Sequence, residues 1–236
     1  WTEVEGTQTN TERRVQRLRA AVEPKGESKP DWWIISALAK KMGFEGFDYS
    51  GPEEIFNECC ELSPIYNGLD WDRIDKGQFH WPVPDFDHPG TPRLHEDGFI
   101  NGKGLLALTE YRDPAETIDA DYPIWLTTGR RLASYHTRTQ TGRSEGIDYL
   151  LSEESLEIHP EDIKKWGLQD GGFATMSSRR GSVRVKVEAT SRSPRGTVFT
   201  SFSFNDVPVN VLTGSGYDPI TQTAELKVCP VSVIPA

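Results

Sequence analysis

The run Phe173-Ala174-Thr175-Met176-Ser177-Ser178-Arg179-Arg180-Gly181-Ser182-Val183-Arg184-Val185-Lys186-Val187-Glu188-Ala189 carries the clearest structural pattern in the chain. Val183, Val185 and Val187 alternate with Arg184, Lys186 and Glu188. A period of two sets one face of a strand against a core and the other in water. Phe173 to Ser177 reads as a partner strand, and Arg179-Arg180-Gly181 as the hairpin turn between the two. Gly181 would suit a positive φ there. The two arginines read as a wet tip or as a contact with another domain or subunit.

Four more short strand patterns flank this hairpin: Tyr122 to Thr127, Leu156 to His159, Thr197 to Phe204 and Lys227 to Ile234. A short helix is predicted from Pro160 to Trp166, with Gly167 behind it. Six short strands with only small helices predict a compact β-barrel over residues 119–236.

Residues 1–118 have a different character. The first 27 are polar and read as a loop leading into a short extended segment. Pro30-Asp31 opens a predicted helix from Trp32 to Met42, closed by Lys40-Lys41 and Gly43. Trp33, Ile34, Ala37, Leu38 and Met42 recur at helical spacing, which predicts a buried face. A second helix is expected from Pro52 to Leu62, with Ser50 as a cap. Residues 63–118 are punctuated by Pro and Gly but hold Trp71, Phe79, Trp81, Phe86 and Phe99. That is more aromatic content than a disordered linker carries. This stretch reads as a long ordered excursion wrapping another surface.

Composition removes several function classes. The formal net charge of -10 over 236 residues excludes a duplex-wide nucleic-acid footprint. No apolar run approaches the roughly 20 residues of a membrane span. The three cysteines, Cys59, Cys60 and Cys229, form no metal-ligand spacing and read as small buried residues in a reducing compartment. H-E-x-x-H, P-loop and G-x-G-x-x-G motifs are absent. His80, His88, His95 and His159 lack metal spacing. The adjacent pairs Glu53-Glu54 and Glu153-Glu154 do not face one another on a helix and read as solvated charge. Trp1 stands where Met would open a chain, so the start reads as an internal cut. Cytoplasm is the default expectation for location.

Against this acidic background, Arg130, Arg131, Arg138 and Arg143 fall in one short stretch after a predicted strand end. Gly129 is expected to permit an unusual backbone turn there. Backbone N–H groups, hydroxyls and planar arginine forks together suit a pyrophosphate. By chemistry alone, the stretch also reads as an exposed polar loop. Asn210 offers donors and an acceptor to a heterocycle edge, or is an ordinary turn residue. Lys227 reads as a ligand contact or as a solvated strand-edge cation.

Five segments in order resemble the large subunit of molybdenum- or tungsten-dependent formate dehydrogenases, in the molybdopterin-guanine-dinucleotide oxidoreductase family. They are Glu5-Gly6-Thr7-Gln8-Thr9-Asn10-Thr11-Glu12-Arg13-Arg14-Val15-Gln16; Lys29-Pro30-Asp31-Trp32-Trp33-Ile34; Tyr122-Pro123 through Thr128-Gly129-Arg130, Tyr135-His136-Thr137 and Thr141-Gly142; Ser177-Ser178-Arg179-Arg180-Gly181; and Asn210-Val211-Leu212-Thr213 with Asp218-Pro219 and Lys227-Val228-Cys229. Gln8 replaces a usual aromatic, Ser134 stands where the family often has His, and Arg131 falls at a variable position.

The resemblance implies a mixed fold. Residues 1–118 would be the end of an α/β molybdopterin oxidoreductase domain with a long connecting loop. Residues 119–236 would be a six-stranded double-psi β-barrel, the molybdopterin dinucleotide-binding domain. The implied cofactor is bis-molybdopterin guanine dinucleotide with Mo or W, shared with an upstream portion of the same catalytic subunit. Implied contacts are Thr128, Gly129, Arg130, Arg131, Ser134, Tyr135, His136, Thr137, Asn210 and Lys227. The metal ligand, the iron–sulfur cluster and the catalytic His and Arg belong upstream, so no catalytic or metal residue is expected here. The implied partners are that upstream portion, electron-transfer subunits and formate or CO2. The chain alone is expected to be inactive. A nitrate reductase of the same fold, or a stand-alone binding barrel, are the alternative readings.

Overall fold

A computed structural model describes residues 1–236. The chain divides into two compact units, Trp1–Ala107 and Leu108–Ala236. The division falls upstream of the point where the β pattern begins, because residues 115–119 already bond to the second unit.

The first unit holds strands β1 (Gly6–Thr9) and β2 (Arg14–Leu18), helices α1 (Asp31–Lys41), α2 (Pro52–Leu62) and α3 (Trp71–Lys76), and strand β3 (Phe79–His80). The strands form an antiparallel sheet in the order β1-β2-β3. Val15 pairs with Phe79 and turns inward to join Phe56, Cys60, Leu69, Trp71, Ile74 and Val83 in one apolar core. The Arg17 guanidinium lies 3.5 Å from the centre of the Trp71 ring, so its charge stacks on the face of a core aromatic.

Two expectations change here. The predicted excursion over residues 63–118 supplies the centre of this unit through Leu69, Trp71, Ile74 and Val83, with Phe79 and Trp81 packed against them, whereas Phe86 and Phe99 are exposed. Gly68 makes this approach feasible: a Cβ there would lie 1.9 Å from the Asp85 carbonyl oxygen. The apolar face predicted for α1 is not buried. Trp33, Ile34, Leu38 and Met42 are exposed, and Ser36 is the helix's buried residue, since no other element of the unit lies over that face. The expected cap also differs: α2 is capped by Gly51 without a side-chain bond, and Ser50 instead donates from its backbone N–H at 2.8 Å and its hydroxyl at 2.5 Å to the Glu54 carboxylate.

The second unit contains β4 (Ile124–Gly129), a 3₁₀ turn (Thr141–Arg143), α4 (Glu145–Leu150), β5 (Ser155–Ile158), α5 (Pro160–Lys165), β6 (Phe173–Ser177), β7 (Ser182–Ala189), β8 (Thr197–Ser201), a 3₁₀ turn (Val209–Val211) and β9 (Cys229–Pro235). The six strands close into a barrel in the order β4-β8-β5-β7-β6-β9. The pairs β4–β8 and β5–β7 are parallel and the other four antiparallel, so the sheet is mixed. Alternation does the sorting: Ile124, Leu126 and Thr128 of β4, and Val183, Val185 and Val187 of β7, point inward. They pack with Leu156, Ile158, Met176, Val198 and Val231.

The predicted β6–β7 hairpin forms, with Ser177 opposite Ser182. Its arginines are exposed, as a wet tip would be, but they are not free. Arg179 and Arg180 both bind Glu116, Arg179 also binds Asp119, and Arg180 donates to the Leu212 carbonyl at 3.0 Å and to the Cys229 sulfur at 3.3 Å. They clasp the entering segment to the hairpin. Gly181 needs no positive φ; the turn closes through Ser178 N–H to the Gly181 carbonyl at 2.9 Å.

Candidate cofactor site

The C-terminal end of β4 organises the site. Thr128 points into the barrel and donates its hydroxyl to the Leu226 carbonyl at 2.7 Å. Lys227 donates from Nζ to the Thr128 carbonyl, also at 2.7 Å, and lies 5.9 Å from the centre of the Phe202 ring. His136 meets the same ring edge-on at 5.5 Å, and Tyr135 is 6.2 Å from His136. Phe202 therefore joins His136 to Lys227 across the loop. His136 and Arg138 both hold positive φ, 51° and 60°, conformations that non-glycine residues adopt rarely and that concentrate at functional loops.

Gly129 is required for packing. Its backbone has no left-handed φ, and a Cβ there would lie 2.5 Å from the Phe199 ring. The expected unusual turn is thus a close approach of an aromatic side chain.

The four arginines divide into two kinds. Arg138 is held by Asp148, donates to the Leu151 carbonyl at 3.0 Å and lies 4.1 Å from the Phe204 ring centre. Arg131 donates from Nε to Glu154 at 3.3 Å, from Nη1 to Glu157 at 2.7 Å, and from Nη2 to the Ser155 carbonyl and hydroxyl at 2.9 and 2.8 Å. Arg130 and Arg143 are exposed and have no carboxylate partner. Arg130 borders two clefts of about 330 and 280 Å³, both of which also touch Glu157, Arg192 and Phe199.

Asn210 is exposed in the turn Val209–Val211, and its carboxamide bonds to no protein group. Thr137 is exposed and shares a hydroxyl contact with Thr139 at 3.1 Å. Ser134 is buried with its hydroxyl unpaired, as are those of Thr200 and Ser203. The structure thus gathers Thr128, Gly129, Tyr135, His136 and Lys227 around β4 and Phe202. It holds Arg131 against Glu154 and Glu157, at the border of the smaller cleft.

Sequence reading missed Glu154. Far from being solvated, its side chain is 0% exposed and accepts from Arg131, Ser155 N–H, Ser201 N–H and the Ser201 hydroxyl. Glu153 is the outward member of that pair and binds Lys186. Phe199, which borders both clefts, and Phe202, which meets His136 and Lys227, were missed as well; a place in a strand pattern gives no sign of either role.

Between Thr127 and Arg143 there is no Asp or Glu, while four Arg are present. On a chain of net charge -10, Arg131 and Arg138 of this stretch are paired with Glu154, Glu157 and Asp148 from outside it, which leaves Arg130 and Arg143 as its free cations, Arg130 facing two open clefts. The donor set fits a phosphate-bearing ligand with a polar heterocycle. No cluster of three His, Cys, Asp or Glu side chains is placed to hold a metal ion.

Residues 1–41 match the molybdopterin oxidoreductase family model, and residues 124–230 match the molydopterin dinucleotide binding domain. The chain carries a molydopterin dinucleotide binding domain and a portion of a molybdopterin oxidoreductase domain. The six-stranded barrel coincides with the matched dinucleotide-binding domain. The F420-dependent formate dehydrogenase subunit alpha of Methanocaldococcus jannaschii is 42% identical over 236 residues, covering 99% of this chain and 35% of that protein. The assimilatory nitrate reductase catalytic subunit of Bacillus subtilis is 38% identical over 245 residues, covering 99% of this chain and 34% of that protein. The chain thus spans about a third of the length of the curated relatives it matches. Acetylene hydratase from Pelobacter acetylenicus shares the fold, with a TM-score of 0.72 and 18% identity over 100% of this chain and 37% of that one.

Proposed function

We propose that this chain is the cofactor-holding portion of a molybdenum- or tungsten-dependent formate dehydrogenase, which oxidises formate to CO2 with two electrons or runs in reverse. The single observation that carries the reading is the acid-free arginine loop at the end of β4, inside the matched dinucleotide-binding domain. The identity to formate dehydrogenase alpha subunits along 99% of the chain supports the substrate. When bound, bis-molybdopterin guanine dinucleotide supplies the metal-centred redox chemistry, as cofactors generally do.

The chain's own residues bind and orient. Arg130 offers a planar fork to the pyrophosphate, and Asn210 offers its free carboxamide to a heterocycle edge. Thr128, Gly129, Tyr135, His136 and Thr137 form the loop wall. Lys227, fixed on the Thr128 carbonyl, adds positive charge, and Ser134 contributes a buried hydroxyl. Arg131 serves from within. The metal ligand and iron–sulfur cluster come from an upstream portion, electrons leave through further subunits, and the assembly works in the cytoplasm.

The test is assembly with the upstream portion, followed by assay of released guanosine monophosphate and of bound Mo and W. Arg130→Met should cut cofactor content at least tenfold; full occupancy would sink the reading. Similarity to nitrate reductase supports a second substrate. Dye-coupled turnover with formate and with nitrate separates the two.

A further inference from the structure

We infer that Arg131 and Glu154 form the mount that holds Arg130 and the 130–143 loop in place, and that Arg131 is a positioning residue that does not itself touch the anion. Only the ligand-binding part of this inference rests on the dinucleotide reading above.

The side chain of Arg131 is 12% exposed, and all three of its nitrogens donate to protein oxygens. Four of its five N–H donors are spent, so little remains for a ligand. Its acceptors come from different parts of the barrel. Glu154 precedes β5 and also binds Ser201 at the end of β8, through both the N–H at 3.2 Å and the hydroxyl. Ser155 donates in turn to Glu188 of β7 at 2.5 Å. Glu157 of β5 accepts from Arg131 and from Arg192 at 3.0 Å. One guanidinium therefore ties the exit of β4 to three other strands.

The electrostatics make the tie obligatory. Glu154 is completely buried, and Arg131 is its one cationic partner. A buried carboxylate deprived of its cation is strongly unfavourable. Glu157 keeps Arg192, but that side chain is 68% exposed and weakly held.

Fixing Arg131 also fixes its neighbour. With Arg131 held against Glu154 and Glu157, its exposed neighbour Arg130 faces two clefts that share Phe199; Arg131 borders only the smaller of them, with four of its five donors already taken. The same Phe199 ring lies 5.5 Å from Arg131 and excludes a Cβ at Gly129. Mount, aromatic wall and presented arginine are one unit. A lysine at 131 would keep the charge without the fork that reaches Glu154, Glu157 and Ser155 together.

The test uses the full chain and its Arg131→Met, Arg131→Lys, Glu154→Gln, Arg130→Met and Arg130→Met/Arg131→Met variants. Amide hydrogen exchange is followed over residues 130–143, and guanosine diphosphate binding by calorimetry. Arg131→Met and Glu154→Gln should speed exchange in that segment about tenfold and weaken nucleotide binding about tenfold. Arg131→Lys should fall between them and the parent chain. Arg130→Met should weaken binding as much while leaving exchange unchanged, and the double variant should bind no worse than Arg130→Met alone. Additive losses would show that Arg131 touches the ligand itself and would overturn the inference. So would exchange in Arg131→Met and Glu154→Gln that stays within twofold of the parent. If Arg131→Met fails to fold, Glu154→Gln and Arg131→Lys carry the comparison. If the parent chain fails to bind the nucleotide while exchange still rises in the variants, the dinucleotide reading falls and the mount stands.

Discussion

Lys227 is joined to Thr128 by side chain to main chain, and Thr128 answers one residue earlier: Nζ of Lys227 donates to the Thr128 carbonyl, and the Thr128 hydroxyl donates to the carbonyl of Leu226, each at 2.7 Å. The approach to β9 is thereby latched to the end of β4. Replacing Thr128 with Val keeps the shape and removes one bond, a loss of about 1 kcal/mol. Thermal denaturation should show a fall in Tm of about 2–4 °C. An unchanged Tm would mean the latch contributes nothing to stability.

The barrel interior sets a larger scale. Leu126 and Ile158 are fully buried among the strands. Leu126→Ala should cost about 2–5 kcal/mol and Ile158→Val about 0.5–1.5 kcal/mol, because the first leaves a cavity and the second removes one methylene. Urea denaturation at constant m-value should rank them in that order.

Gly129→Ala should destabilise by about 1–3 kcal/mol, since the new methyl meets the Phe199 ring. Shrinking the ring should return part of that loss. In a double-mutant cycle, Gly129→Ala with Phe199→Leu should be more stable than the sum of the single changes predicts. Simple additivity would separate the glycine from the ring.

Acid should loosen the clasp on the hairpin. The Arg180 hydrogen bond, with charge from both arginines, holds the Glu116 carboxyl below its ordinary value, and the Tyr122 and Asp121 backbone N–H groups with Arg179 do the same for Asp119. Both groups are more acidic in the folded chain than in the unfolded one. Their contribution is complete above the unfolded values and disappears as pH falls below about 4.5 and through the lowered values. Glu116→Gln should therefore lower Tm at neutral pH and flatten the decline of Tm between pH 5 and about pH 3.

The thiols should separate by burial. Burial pushes the Cys60 thiol up to about 12 and raises that of Cys229, whereas Cys59 is exposed. At pH 8, a colorimetric disulfide reagent should label one thiol quickly and the other two only on unfolding. Rapid labelling of all three would contradict the packing around Phe56 and around Leu212.

The barrel strands were legible because each alternates or runs apolar between turn residues, as Val183–Val187 does. Their order was not, since parallel pairs such as β4–β8 join residues whose spacing in the chain carries no signal. In the first unit, α3 and β3 escaped notice. They are six and two residues long, and α3 starts on a capping Asp70 that also reads as a turn. At the site, arginines were legible as a cluster but not by direction. Arg130 and Arg131 are chemically identical in sequence, and what separates them is Glu154, 23 residues from Arg131. A helix face such as that of α1 shows the opposite failure: its periodicity was read correctly as helical, but burial depends on what lies over it.

Barrel closure has a consequence for synthesis. β4 is the first strand of the barrel and β9 the last, and Ile124 pairs with Val231. Until β9 emerges from the ribosome, β4 and β6 each present an open edge, with Leu126 and Met176 beside it. Exposed edges of this kind recruit other strands. A chain stopped before Cys229 should therefore be prone to aggregate, and nascent chains should depend on chaperone cover until β9 has emerged.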